Sequence, residues 1–272
     1  MAPKKKKGEG KKAGRRKEKG FKGPGKILAY HDEEYWNSRY ANQPEPFDWY
    51  QSYKELKGLF EMYLPKDNKI LNAGCGNGML GEDMVRDGYL DVVNVDNSST
   101  CFDQLNLRYK GNKDIPSAFT WFRQDMKDLK MFKDFSMDHV IDKGFLDSIL
   151  CAADALNQVA LVFGEIRRVL KVGGLYILIT YGDPRTRMPW LKTPLTPWKS
   201  IIVHVFPRPG SPKALNPGPR PILEPVYMLP DLTLGPQFNL DDPDWHYIYV
   251  CKKETEDLTK APQPRKKKPL KA

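Results

Sequence analysis

The chain has 272 residues, enough for one substantial domain with additions, and 13 Tyr, 12 Phe and 6 Trp provide bulky core material. No apolar run approaches the roughly 20 residues a membrane helix needs, and the lysine-led start lacks the apolar stretch of a secretory signal. The net charge of +10 is unevenly held. Residues 1–26 carry twelve Lys/Arg against two acids and 259–272 carry six against none, whereas 27–258 has 26 basic and 32 acidic residues.

Blocks that basic bury too little apolar surface to order themselves. Residues 1–26 and 259–272 are therefore expected to be disordered basic tails on a mildly acidic globule at 27–258. Their charge suits weak contact with RNA or ribosomes, or with a nuclear import receptor. The four cysteines are widely spaced with no CxxC pair, so neither a disulfide framework nor a metal site is expected. Reduced thiols place the chain in the cytoplasm, with the nucleus as a second location. The expected state is a monomer.

In chain order, "KILNAG" from Lys69 reads as a buried strand and "MLGEDMVRDG" as a helix closed by Gly88. "DVVNVD" is a strand ending in acid, followed by a helical stretch from Ser98 to Tyr109. "SAFTWFRQD" and "MDHVIDKG" are further strands. Asp154 to Lys171 forms an amphipathic helix stopped at Gly173-Gly174, and "LYILIT" is a covered strand. Such alternation specifies an α/β fold, a doubly wound, mostly parallel sheet. After Thr180 the texture changes, with fourteen of the 23 prolines falling between Pro184 and Pro243. These exclude long helices and central strands. "SIIVHVF" and "WHYIYVC" remain as strands that would pair antiparallel at one sheet edge. The Pro-rich insertion, about 184–243, holds a surface loop long enough to be either functional or disordered.

Between the first strand and its helix, "ILNAGCGNGML" sets Gly74, Gly76 and Gly78 at every second position. Bare N–H groups at a helix N-terminus can receive a phosphate or the edge of a nucleoside. Asp96 ends the next strand, where a carboxylate can accept both hydroxyls of a ribose. The spacing is not that of a dinucleotide site, although Gly81 supplies an echo of it and the glycines alone leave hydride chemistry open. Asp125 in "FRQD" stands where a carboxylate can accept an adenine amino group, which favours S-adenosylmethionine.

The chain resembles the seven-strand, class I methyltransferases, and within them the methyltransferase-like 13 / elongation factor 1-alpha lysine methyltransferase group. "YWNSRY", "FDWYQSYKELKGLF", "ILNAGCGNG", "NVDNSS" and "VIDKGFLDSIL" carry the resemblance in order and spacing. It covers about residues 30–180 plus "WHYIYVCKK", and makes 27–258 the methyltransferase domain, a seven-stranded Rossmann-like fold with an antiparallel edge hairpin. The resemblance implies cofactor contacts at Trp36, Tyr40, Trp49, Gly74, Asp96, Asn97, Asp125, Met126 and Lys143. Cys75, Gly76 and Gly78 of the glycine turn join them, and Arg39 beside the aromatic pair suits a methionine carboxylate.

Asp142 and Asp147 are the candidate catalytic acids by position, to hold an incoming ammonium; Asp147 is equally placed to cap a helix. The implied activity is protein-lysine N-methylation of an elongation factor 1-alpha-like protein. Methylation of another protein or a small amine, and a cofactor-binding scaffold at ribosome or RNA, are the alternatives. The chain departs from the group at Asp142, where Glu is usual, in "GCGNGML", and throughout the Pro-rich insertion.

Overall fold

In the computed structural model the described residues are 29–254, apart from 114, 116, 194–196, 217–219 and 236–237. The two basic tails lie outside them. The chain enters through α1 (Glu33–Asn42), whose N-cap Asp32 accepts from Glu34 N–H, and through α2 (Tyr53–Tyr63), opened by a reciprocal Ser52–Glu55 capping box. Leu56, Leu59 and Phe60 of α2 are fully buried, anchoring this N-terminal segment to the sheet.

The alternating unit follows as β1 (Lys69–Ala73), α3 (Leu80–Arg86), β2 (Asp91–Asp96), α4 (Ser99–Tyr109), β3 (Phe119–Arg123) and β4 (Met137–Lys143). Then come α5 (Phe145–Ile149), α6 (Ala155–Val169), β5 (Leu170–Thr180), α7 (Pro184–Leu191), β6 (Trp198–Pro207), α8 (Pro212–Leu215) and β7 (Trp245–Lys253). The seven strands lie in one sheet in the order β3-β2-β1-β4-β5-β7-β6. The first five pair in parallel, and β7 runs antiparallel between β5 and β6.

Two apolar clusters cover the faces of the sheet. One centres on Val162, Phe163 and Ile166 of α6 and the other on Leu56, Phe60 and Met84 of α2 and α3. Burial on both sides explains the continuous apolar runs of β1, β2 and β5. Two expectations shift in detail. Helix α6 ends at Val169 rather than Lys171, because Leu170 already pairs with Met137 as the first residue of β5. The Pro-rich loop packs on the sheet edge in its described parts: Val226 N–H donates to Val203 O of β6 at 2.7 Å, and Val226 and Leu234 are buried. It thus covers an edge strand that would otherwise offer free backbone groups.

Strand order reverses direction between β1 and β4. In open α/β sheets that reversal leaves a crevice at the carboxyl ends of the strands. Gly74 directly follows β1, and Asp96 and Lys143 end β2 and β4, at this crevice.

Candidate active site

A cleft lies over those strand ends. Its lining includes Trp36, Arg39, Tyr40, Trp49, Gly74, Cys75, Gly76, Asp96, Asn97, Asp125, Met126 and Lys143. Twelve positions singled out in the sequence are thus brought to one place. Asn72, Asn77, Gln124 and Phe145 complete much of the wall.

Gly78 is not among the lining residues. A Cβ there would stand 2.7 Å from Asp48 Oδ1 and 2.9 Å from Phe47 O, so this glycine admits the "FDW" turn. Gly76 has φ +57° in the left-handed region, and a Cβ would press on the Tyr40 hydroxyl at 2.9 Å. The bare backbone therefore serves the docking of the N-terminal segment as well as the cleft.

Asp96 receives Gly76 N–H at 3.0 Å on one oxygen and Ser98 N–H at 2.9 Å on the other. Burial raises its carboxyl above the usual range, and the two N–H bonds oppose that rise. A carboxylate has about four acceptor positions, so capacity remains for further donors. Asp125 accepts Lys127 N–H at 2.9 Å on one oxygen. Arg39 bonds Gln43 on its own helix and lies 5.4 Å over the Phe47 ring.

The N-terminal segment roofs the cleft. Trp36 stacks on Tyr40 at 5.7 Å and meets Trp49 edge-on at 6.3 Å. Asn37 Oδ1 accepts from the Ser98 hydroxyl, and Asn77 Nδ2 donates to Pro44 O and Glu45 O. Lys143 is nearly buried and donates to Asp48 Oδ1 and to Trp49 O, both at 2.8 Å. Burial lowers its ammonium pKa, against the pull of Asp48. Asp48 also accepts Met79 N–H at 3.2 Å. Lys143 thus ties the roof to β4 while lining the cleft.

Beyond Trp36 and Trp49 lies a second, aromatic slot. Tyr30, Trp36, Trp49, Tyr50, Tyr181, Gly144, Asp147, Ser148 and Cys151 form it, and five of these also line the cleft. Asp147 sits in its wall. One oxygen receives the Thr180 hydroxyl at 2.6 Å and Arg187 Nε and Nη2 at 3.0 and 2.7 Å, and the other receives the Tyr50 hydroxyl at 2.5 Å. Asp147 and Arg187 are 8% and 5% exposed, so this is a buried ion pair in which both oxygens of Asp147 carry hydrogen bonds.

Asp142 does not take the place expected of a second acid. It is fully buried and outside both linings, receiving Phe145 N–H, Leu146 N–H and the Tyr176 hydroxyl. Its carboxylate closes the start of α5 from inside, and burial pushes its pKa up to about 7. His246 bonds Gln51 Nε2 at 3.0 Å and packs against Tyr50, held neutral with a pKa of about 4 by burial.

Asp48, Tyr50, Tyr181 and Arg187 escaped the sequence reading. Asp48 and Tyr50 flank Trp49 in "FDWY" and were within reach of that motif. Arg187 lies in a Pro-rich stretch with no pattern to announce it.

A general methyltransferase-domain profile matches residues 71–178. The eEF1A lysine and N-terminal methyltransferase of Bos taurus is 35% identical over 150 residues, covering 54% of this chain and 21% of that protein. The EEF1A lysine methyltransferase 4 of Bos taurus is 30% identical over 174 residues, covering 60% of this chain and 66% of that protein. Among solved structures, the geranyl diphosphate C-methyltransferase of Streptomyces coelicolor, in complex with Mg2+, geranyl diphosphate and S-adenosyl-L-homocysteine, superposes with a TM-score of 0.50. It is 16% identical and covers 85% of this chain and 100% of that one. At that identity the likeness is one of fold alone.

Sheet order, glycine turn and profile agree: residues 71–178 form a methyltransferase domain, set in a seven-stranded sheet of the kind seen in methyltransferases. The chain spans about a fifth of the length of the eEF1A lysine and N-terminal methyltransferases it matches. S-adenosylmethionine is the donor of such domains, and the lining fits its parts chemically. A half-buried acid with spare acceptor capacity suits a diol, aromatic faces suit a sulfonium, and an arginine suits a carboxylate.

Proposed function

We propose that the chain is an S-adenosylmethionine-dependent protein-lysine N-methyltransferase acting on an elongation factor 1-alpha-like protein. The observation that carries this reading is the shared wall. A polar cleft and an aromatic slot meet at Tyr30, Trp36, Trp49, Gly144 and Ser148, so a donor and a slender amine can face each other there. The names of the relatives support the substrate.

In this reading Asp96 holds the ribose, Asp125 and Met126 the adenine, Arg39 the methionine carboxylate, and Trp36 and Tyr40 the sulfonium. Gly74, Cys75 and Gly76 supply backbone, Asn97 closes the ribose side, and Lys143 keeps the roof in place. The donor, when bound, supplies a methyl group on cationic sulfur that a lone pair displaces in line.

The chain's own task is to align and neutralise the amine. Rings on several sides strip water from an ammonium and favour its neutral form. Asp147 is already matched by Arg187, so it does not hold the ammonium back in its charged state. The released proton leaves through the mouth, where Tyr181 is 60% exposed and Trp49 36%. The basic tails add weak contact with RNA or ribosomes, and the site of action is the cytoplasm, extending to the nucleus.

Radiolabelled donor, the full chain and recombinant elongation factor 1-alpha form the test, with whole lysate in parallel. A labelled band whose mass spectrum shows methyl-lysine is the expected result. Label on another protein or a small amine would displace the proposed substrate. Cofactor binding without any transfer would make the chain a scaffold.

A further inference from the structure

We propose that Tyr50 holds and orients the acceptor amine through its phenolic oxygen, a role that rests on the lysine-methyltransferase reading above. Tyr50 lines the slot, and its hydroxyl proton is committed to Asp147 at 2.5 Å. The other oxygen of Asp147 is filled by Thr180 and by Arg187. The phenolic oxygen therefore presents lone pairs and no proton to a ligand in the slot. Burial, with Asp147 second, raises the phenol well above its ordinary range, so it remains a neutral acceptor.

The ring is also fixed. Tyr50 has φ +63°, a left-handed conformation costly for a residue with a Cβ, and such strain tends to gather at working sites. Gly144 lies so close that a Cβ there would approach the ring at 3.2 Å, and His246 packs edge-on at 4.9 Å. The structure thus holds this acceptor oxygen firmly in a largely aromatic slot.

A neutral primary amine has two N–H donors and one lone pair. An N–H given to Tyr50 turns the lone pair away from the ring, toward the shared wall and the cleft. In each transfer the nitrogen lone pair forms the new N–C bond, and the S–C bonding pair stays on sulfur as a thioether. One N–H proton of the resulting ammonium leaves to water before the next round. Monomethyl-lysine keeps one N–H in its neutral form and dimethyl-lysine keeps none. Tyr50 can therefore align the first two transfers and has no hold on the third.

The test is a time course of mono-, di- and trimethyl-lysine on recombinant elongation factor 1-alpha, read by mass spectrometry, for the wild-type full chain and Tyr50→Phe. Expected for the wild type is a third transfer about tenfold or more slower than the second, the worth of one lost hydrogen bond. Tyr50→Phe should slow the first two transfers about tenfold and leave the third unchanged. Its affinity for S-adenosylhomocysteine by calorimetry should match the wild type, and its melting temperature should fall only by the worth of the one hydrogen bond lost to Asp147.

Equal slowing of all three steps, or a wild type that runs to trimethyl-lysine without a lag, overturns the role. Should Tyr50→Phe fold poorly, the wild-type lag alone decides. Methyl-lysine without the predicted pattern removes Tyr50 only. No methyl-lysine despite bound S-adenosylhomocysteine removes the underlying reading, and this role with it.

Discussion

The donor-side cleft and the aromatic slot share a wall of two tryptophans, yet they are built from different materials. The cleft combines backbone, polar side chains and the acids Asp96 and Asp125 at the ends of parallel strands with the aromatic roof. The slot is made of rings around a salt bridge that is already complete. The first can exchange hydrogen bonds with a ligand through many groups, while the second offers mainly ring faces, with the Tyr50 hydroxyl tied to Asp147 in its wall. The difference teaches how the two regions are built: polar groups gather at the strand ends, and rings gather where the N-terminal segment meets α5 and Tyr181.

Breaking the slot alone gives the largest expected effect. Arg187→Met leaves the Asp147 carboxylate buried without its cation, at a cost of about 3–5 kcal/mol in denaturant unfolding. Adding Asp147→Asn should recover much of that loss, because the uncompensated charge is gone. Neither change should alter S-adenosylhomocysteine affinity of the folded protein. A matched loss of affinity would show that cleft and slot are one unit.

Breaking the cleft comes next. Asp96→Ala removes an acceptor for two ribose hydroxyls at about 1.5–3 kcal/mol each, a fall in affinity of about a hundredfold or more. An unchanged calorimetric isotherm would refute the ribose assignment.

The core separates the two regions in their response to acid. Burial holds His139, His204 and His246 near 4, below the unfolded value of 6.5. Depressed histidines give stability that is present above pH 6.5 and lost as pH falls toward 4. Asp142, raised to about 7, acts in the opposite sense: its contribution is present below its unfolded value of 3.8 and lost as pH rises through 7. Three groups outweigh one, so the urea midpoint should fall between pH 6.5 and 5. His204→Asn should remove about 1–2 kcal/mol of that dependence. A flat profile in the wild type would show that the histidines are not held neutral.

The smallest expected effect sharpens the boundary of both regions. Deleting residues 1–26 should leave the melting temperature and S-adenosylhomocysteine affinity unchanged while weakening RNA retention in low salt. A large drop in melting temperature would place those residues in the fold.

Much of the donor side was legible before any coordinates. Gly76 before a helix, Asp96 at a strand end and the period of α6 are local patterns, and each has one common structural outcome. Gly78 was legible as a glycine but not in its reason, since the partner that needs the space, Asp48, is thirty residues earlier in the chain. Asp142 and Asp147 look alike in "VIDKGFLD", five positions apart. One closes a helix from inside the sheet and the other reaches the slot, a distinction set by the turn at Gly144.

The order of apolar and polar residues determined by itself that strands and helices alternate, that a bare turn follows β1, and that charge gathers at both ends. These are short-range consequences of backbone sterics and burial. Only the folded chain decided that Tyr50, Asp147 and Arg187, up to 137 positions apart, complete one another's hydrogen bonds. Their pairing depends on where β4, β5 and α7 come to rest, and no local pattern carries that distance.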